Sequence, residues 1–269
     1  MNTTKHYRID GSSLVRLADI DPDQETGFKH RDEAEKQTAE DIAVIDDLQD
    51  RLYAEARQAL LIVFQAMDSG GKDGTIRHVF GPIDPLGIRA VNFKRPTPEE
   101  LAHDFLWRVH KEVPAKGQIG VFNRSHYEDV LVVRVHEMKP LAVIERRYDQ
   151  INAFEQTLCE NGTKLVKIFL HISKDEQRER LQERVDIPRK RWKFNPGDLE
   201  ERKFWDRYME AYEIMLNRCA TPSAPWYVVP ANRNWYRNAV VAGIIREALE
   251  AMDPTYPTHT FDPATIKVV

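Results

Sequence analysis

Residues 60–76 read Leu60-Leu61-Ile62-Val63-Phe64-Gln65-Ala66-Met67-Asp68-Ser69-Gly70-Gly71-Lys72-Asp73-Gly74-Thr75-Ile76. The unbroken apolar run at 60–64 is too short for a helix and has the character of a strand buried on both faces. It passes directly into a glycine-rich turn that opens a helical stretch. Glycines let backbone N–H groups approach phosphate oxygens, a helix N-terminus adds the positive end of its dipole, and Lys72 supplies a point charge. The segment therefore reads as a phosphate-binding loop. Its match to G-x-x-x-x-G-K-[ST] is incomplete, because Ala66 stands at the first glycine and Asp73 at the hydroxyl residue. That hydroxyl normally helps hold Mg2+, so the metal must be held otherwise, and Asp68 is the nearest carboxylate of the oxygen type a hard cation prefers. The competing reading is a plain strand-to-helix turn with a solvent-facing Lys72.

Similar short apolar runs recur at 88–93, 119–122, 165–172 and 226–229, with helical patterns between them at 97–113, 140–159, 174–184, 198–218 and 234–252. Five buried strands alternating with helices predict an α/β protein, a three-layer α/β/α sandwich around a five-stranded parallel sheet. In such sheets ligands bind beyond the carboxyl ends of the strands, which directs attention to the segments after Gln65, Phe122 and Ile172. Upstream, Ile42, Ala43, Ile45, Leu48, Leu52, Tyr53 and Ala56 recur at spacings of three and four, predicting a packed helix over 31–57 with one buried stripe. Residues 1–30, with their Asp-Pro and Thr-Gly steps, read as an arm, and 31–269 as a single domain.

Composition limits the partners. The 269 residues carry 39 Lys and Arg against 43 Asp and Glu, a formal charge of −4, with 42% apolar and 30% charged residues. This is an ordinary globular balance, neither disordered nor strongly basic. Cys159 and Cys219 show no metal-type spacing, which argues against zinc or a disulfide framework and for a reducing compartment. No apolar run approaches the roughly 18 residues of a membrane span, so a cytoplasmic location is expected.

Two further segments carry charge in a pattern that suits anions. After the strand at 119–122 comes Asn123-Arg124-Ser125-His126-Tyr127-Glu128-Asp129. Arg124, at the strand's carboxyl end, is able to clamp a phosphate through its planar fork, unless it pairs with Asp129 in a surface network. His126 reads as a structural histidine. Downstream, Arg178, Arg180 and Arg184 lie on a helix, followed by Arg189-Lys190-Arg191-Trp192-Lys193 between Pro188 and Asn195-Pro196-Gly197. A movable cationic lid over 174–200 is expected here, excluding water from a reactive phosphoryl group. Trp192, Phe194, Phe204, Trp205 and Tyr208 read as packing residues rather than as base stackers.

Taken together, Asp68-Ser-Gly-Gly-Lys72-Asp-Gly-Thr75, Asn123-Arg124-Ser-His-Tyr127-Glu128-Asp129, Asp186-x-Pro-x-Lys190-x-Trp192-Lys193 with Gly197-Asp198-Leu199, and Ala224-Pro-Trp226-Tyr-Val-Val-Pro230-Ala231-Asn232 resemble the polyphosphate kinase 2 family over roughly 36–251. The resemblance implies a thymidylate-kinase-like P-loop kinase with a helical lid. It also implies reversible transfer of the terminal phosphoryl group of inorganic polyphosphate to AMP or ADP, with Mg2+ and with Mn2+ as a substitute. Adenine nucleotides are the expected acceptors, guanine nucleotides a further option, with no nucleic-acid or membrane partner and a homo-oligomer, dimer or tetramer, as the assembly.

Residue by residue, the resemblance makes Asp68, Lys72, Arg124 and Arg178 catalytic. Gly70, Gly71, Lys72, Asp73, Gly74, Thr75, Lys190 and Lys193 would bind phosphate or polyphosphate, and Asn123, Arg124, Tyr127, Glu128 and Asp129 the nucleotide. Asn123 replaces an Asp of other members, so Asp129 stands beside Asp68 as the second metal ligand. The Glu128-Asp129 pair resembles the class that takes nucleoside monophosphates and diphosphates, where a diphosphate class has Asn at 128. The alternatives are an ATP-dependent nucleoside monophosphate kinase and a polyanion- or RNA-binding module built on 189–193.

Overall fold

The computed structural model describes residues 4–268. Its strands are β1 (Arg8–Ile9), β2 (Ala59–Ala66), β3 (Ile88–Asn92), β4 (Ile119–Asn123), β5 (Thr163–His171) and β6 (Trp226–Pro230). The helices are α1 (Arg31–Glu55), α2 (Lys72–Phe80), α3 (Pro98–Leu101), α4 (Trp107–His110), α5 (Val132–Val135), α6 (Leu141–Glu160), α7 (Lys174–Asp186), α8 (Gly197–Lys203), α9 (Trp205–Cys219) and α10 (Asn234–Met252). All eight residues of β2 are buried, as a central strand with both faces covered requires.

Among the described residues the sheet has six strands in the order β1-β6-β5-β2-β4-β3. β2 pairs in parallel with β4 (Leu61 opposite Gly120) and with β5 (Leu61 opposite Leu165). The chain thus builds the β4-β3 side of β2 before crossing to β5 and β6, and this reversal opens a crevice beyond the carboxyl ends of β2, β4 and β5. α1 packs along α10, which also lies on β5, β6 and α2, while α6 packs on β5 and α9. The result is the expected three-layer sandwich.

The sixth strand corrects the five expected. β1 pairs antiparallel with β6, Arg8 opposite Tyr227 and Ile9 opposite Trp226, and covers an edge that would otherwise be open. Two residues are too few to show alternation, so this strand exists only because β6 offers it partners. The arm is also more firmly held than its composition suggests: Tyr7, Val15 and Leu17 join the common core, and Asn217 Oδ1 accepts the Val15 N–H at 2.8 Å.

Three helical expectations change as well. The helix expected over 97–113 is two single turns, α3 and α4. Thr97 and Glu100 form a capping box that starts the first, and Asp104 Oδ1 accepts the Leu106 N–H at 3.0 Å ahead of the second. The helix expected over 198–218 breaks at Phe204 into α8 and α9. In α1 the stripe is narrower than read: Ile45, Leu48 and Leu52 are buried, whereas Ala43, Tyr53 and Ala56 face solvent.

A buried polar cluster ties the sheet to the turn after β4. Lys167 of β5 is fully buried, and its ammonium donates to Glu155 of α6, to Tyr127 Oη at 3.0 Å and to the Cys219 carbonyl at 2.6 Å. The Tyr127 hydroxyl donates to Glu155 at 2.7 Å, and His126 Nε2 meets the same carboxylate at 3.1 Å. With its charge paired and its donors satisfied, a lysine is tolerated in this strand. The cluster anchors the His126–Asp129 turn from beneath.

Candidate active site

After β2 the chain turns through Ser69, at φ 63°, and Gly71, at φ 100°, and enters α2. Neither loop glycine has room for a side chain. A Cβ on Gly70 would lie 2.6 Å from the Ala66 methyl, and one on Gly71 2.0 Å from Arg237 Nη1. Thr75 N–H makes the first bond of the helix, to the Gly71 carbonyl at 3.0 Å. The N–H groups of Gly71, Lys72, Asp73 and Gly74 therefore have no intrahelical acceptor and sit at the positive end of α2, an arrangement suited to an anion. Lys72 is buried and donates to the Ala66 carbonyl at 2.9 Å and, at 3.5 Å, to that of Met67. Burial, and then the nearby Arg124 charge, lower its pKa to about 8.

Arg124 follows β4 in a left-handed conformation, φ 62°, a position that costs a non-glycine residue about 1–3 kcal/mol and is held here by its neighbours. Its N–H donates to the Phe64 carbonyl of β2 at 3.1 Å. The guanidinium then spans two acids, Asp68 at one end and Glu128 at 3.2 Å at the other. Glu128, in spite of burial, raises the Arg124 pKa further, so the fork stays charged. Beside it, Asn123 Nδ2 donates to Asp73 at 2.7 Å.

The opposite wall is α7 and the short 3-10 helix Pro188–Lys193. Arg180 crosses from this wall to the loop, donating to the Ser69 carbonyl at 3.0 Å and to those of Ala231 and Asn232 at 2.6 and 2.8 Å. Gln177 adds a bond to the Asp68 carbonyl at 3.0 Å. Arg184 pairs with Asp198 at 2.8 Å, and Lys190 with Glu183. Between loop, β4 and this rim lies a cavity of about 550 Å³.

Asp68, Gly70, Gly71, Lys72, Asp73, Gly74, Asn123, Arg124, Lys190 and Lys193 all line that cavity, so most of the residues singled out in the sequence meet in one place. The others do not. Thr75 is buried and turns its hydroxyl back to the Gly71 carbonyl at 3.1 Å. Tyr127 is fully buried in the Lys167 cluster and presents no surface to a nucleotide. Glu128 stands behind Arg124 and reaches the site through it. Asp129, proposed as a metal ligand, is engaged instead by Arg147 at 3.0 Å, away from the cavity wall. Arg178 points outward, its side chain 63% exposed and paired with Asp175. Trp192, read as a packing residue, is 77% exposed on the rim, with Lys193 over its ring.

Arg180 and Arg184, which the sequence places on the lid helix without a role at the site, line the cavity, as do Arg237 and Asn238, which no motif marks. For Arg184 a signal was present. Leu181 is the one buried apolar residue of α7, and Gln177 and Arg184 share its face, whereas Arg178 and Arg180 flank that face on opposite sides, so spacing alone does not choose between them. For Arg237 there was none.

This chain matches the sequence profile of polyphosphate kinase 2 over residues 28–257. It belongs to the polyphosphate kinase 2 family. Within the family it is similar to the AMP/ADP-polyphosphate phosphotransferase of Meiothermus ruber, with 53% identity over 258 residues, 94% of this chain and 95% of that one. It is 42% identical to the ADP-polyphosphate phosphotransferase of Rhodopseudomonas palustris over 269 residues, 96% and 93% of the two chains. The crystal structure of polyphosphate kinase 2 from Arthrobacter aurescens superposes with a TM-score of 0.94 at 44% identity, covering 97% of this chain and 93% of that one. The P-loop kinase fold expected for the family is the fold of this member. Among the described residues no helix is long and apolar enough to cross a membrane.

Proposed function

We propose that this polyphosphate kinase 2 transfers the terminal phosphoryl group of inorganic polyphosphate to AMP and ADP, reversibly. One observation carries the reading: seven Lys and Arg and only three acids line the cavity, in a protein whose overall charge is −4, and no Phe, Tyr or Trp is among the described residues lining it. A polymer of phosphates has neither base nor sugar to recognise, and such a wall of cations is what it requires.

The chemistry is in-line displacement, for which positioning and charge neutralisation matter more than a proton acceptor. The free N–H groups of the loop and Lys72 would hold the phosphates that flank the transferred group. Arg124, kept charged and oriented by Asp68 and Glu128, would orient the attacking phosphate of the acceptor. Lys190 and Lys193 would approach from the rim and exclude water.

Among the described residues no three His, Cys, Asp or Glu side chains form a ready-made metal cage. Mg2+ takes one or two carboxylates and completes its shell with phosphates and water. Asp68 and Asp73 line the cavity and would hold it, and when bound it would neutralise charge on the phosphates. We further take the enzyme to be a homo-oligomer, which sedimentation would show and a monomer would contradict.

The deciding experiment is formation of ADP and ATP from AMP with long-chain polyphosphate and no nucleoside triphosphate. Both products are expected; their absence, with ATP serving as donor to AMP instead, would overturn the reading.

A further inference from the structure

The mechanism leaves three cations of the cavity without a role, Arg180, Arg184 and Arg237; the first two are paired with Glu176 and Asp198. Arg237, on the first turn of α10, is only 3% exposed. Its guanidinium donates to Asn234 Oδ1 at 2.7 Å and to Asn238 Oδ1 at 3.0 and 3.3 Å, amide oxygens without charge. Among the described residues no carboxylate pairs with it. The charge that acts on it most strongly is another cation, Arg180; both guanidinium groups approach Gly71, where a Cβ would lie 2.0 Å from Arg237 Nη1 and 3.4 Å from Arg180 Nη1. Glu176, the acid nearest in effect, is already held by Arg180 at 2.6 Å. Burial and the Arg180 charge together depress the Arg237 pKa to about 9.

A buried guanidinium facing a second guanidinium destabilises the empty site, and removing either from water is unfavourable unless an anion completes the pair. Arg180 is held by Glu176 and by the Ser69, Ala231 and Asn232 carbonyls and contributes mainly its charge, while Arg237, beside a residue with no side chain, keeps N–H groups that Asn234 and Asn238 do not use and that an oxygen anion would accept from.

We propose that Arg237 and Arg180 form a phosphate subsite for the donor polymer, holding units beyond the transferred one on the α10 side of the loop. This rests on the polyphosphate reading and adds to it a site for chain length. A long polymer engages both the loop and the arginine pair, whereas a short donor such as triphosphate gives up one for the other. Nucleotide acceptors, held from the β4 side by Arg124, do not use it.

The test compares wild type with Arg237→Met and Asn238→Asp. Replacing Arg237 by Met removes the unpaired cation at similar length. Replacing Asn238 by Asp puts a carboxylate where an amide oxygen already accepts from Arg237, supplying an internal anion. Both variants are expected to melt no lower than wild type without ligand, and Asn238→Asp higher. Both are expected to raise the KM for long-chain polyphosphate by about 10- to 100-fold, the worth of charge-assisted hydrogen bonds, to lose the preference for long chains over triphosphate, and to leave the KM for AMP unchanged. Arg237→Lys should recover part of the donor affinity.

Unaltered donor KM and chain-length preference in both variants, in an enzyme whose wild type uses polyphosphate, would overturn the subsite and leave the proposed function standing. A lower melting temperature with unaltered kinetics would show Arg237 to be structural only. A raised AMP KM with an unaltered donor KM would assign the pair to the acceptor. Wild type inactive with polyphosphate would instead remove the reading on which the subsite rests.

Discussion

Lys72 turns its ammonium toward two loop carbonyls and has a pKa near 8 because it is buried and has Arg124 for a neighbour. Below that pH it is charged and ready for phosphate; above it the charge is lost. The kcat/KM for polyphosphate, which reports the free enzyme, is expected to fall above about pH 8, approaching tenfold per unit. Bound phosphates favour the proton, so the limb in kcat should lie higher. Parallel pH profiles check this, and a kcat/KM flat to pH 9.5 would contradict it. The linked stability has the opposite sense. With a folded pKa below the unfolded value of roughly 10.4, the native state binds fewer protons between these values, and the penalty from charged Lys72 is complete below pH 8 and relieved toward pH 10. Glu128 acts through its neighbour, fixing one end of the Arg124 fork while Asp68 fixes the other. A monophosphate offers Arg124 a single group, so its placement depends on that fork more than a diphosphate's does. Glu128→Asn is expected to lower kcat/KM for AMP by about 10-fold, the scale of one charged hydrogen bond, and to change ADP use by far less. Equal losses on both acceptors would exclude this role.

At the scale of elements, the turn that presents Arg124 is held from below by a contact between strand and helix. Lys167 of β5 and Glu155 of α6 are both buried, and burial of the carboxyl is outweighed by Lys167 and His126, which keep it ionised. Lys167→Met alone would strand that carboxylate and is expected to cost about 3–5 kcal/mol, as for other broken buried pairs, with a melting temperature lower by on the order of 10 °C. Adding Glu155→Gln should recover part of it. Urea unfolding of the single and double variants measures both; a single variant as stable as wild type would mean the cluster bears little load. The same contact keeps Tyr127 out of the site. In sequence it stands beside Arg124 and Glu128 and looks like a site residue, yet its hydroxyl is committed to Glu155, 28 positions away. Asp129 likewise meets Arg147. Short-range spacing contains neither pairing.

For the whole molecule, charge distribution matters more than net charge. The cavity concentrates cations while residues 1–50 carry 13 acids against 6 bases, so a polyanion encounters the cleft and not the average. With a Debye length of about 8 Å at physiological salt shrinking toward 3 Å at 1 M, the KM for polyphosphate is expected to rise about tenfold or more between 50 and 500 mM NaCl, while that for AMP moves less. Initial-rate measurements across salt decide it, and a donor KM indifferent to salt would argue against an electrostatic grip. The sequence alone determined the buried strands, the glycine loop with Lys72, the cationic rim and the family, because apolar runs, loop glycines and charge clusters are local and their physics acts within a few residues. Only tertiary structure decided that β1 closes the β6 edge, that Arg180 rather than Arg178 faces the cleft, that Asp129 is occupied, and that Arg237 lies unpaired against Gly71. Each of these depends on a partner brought from a distant part of the chain, and burial or charge at a contact is a property of both sides.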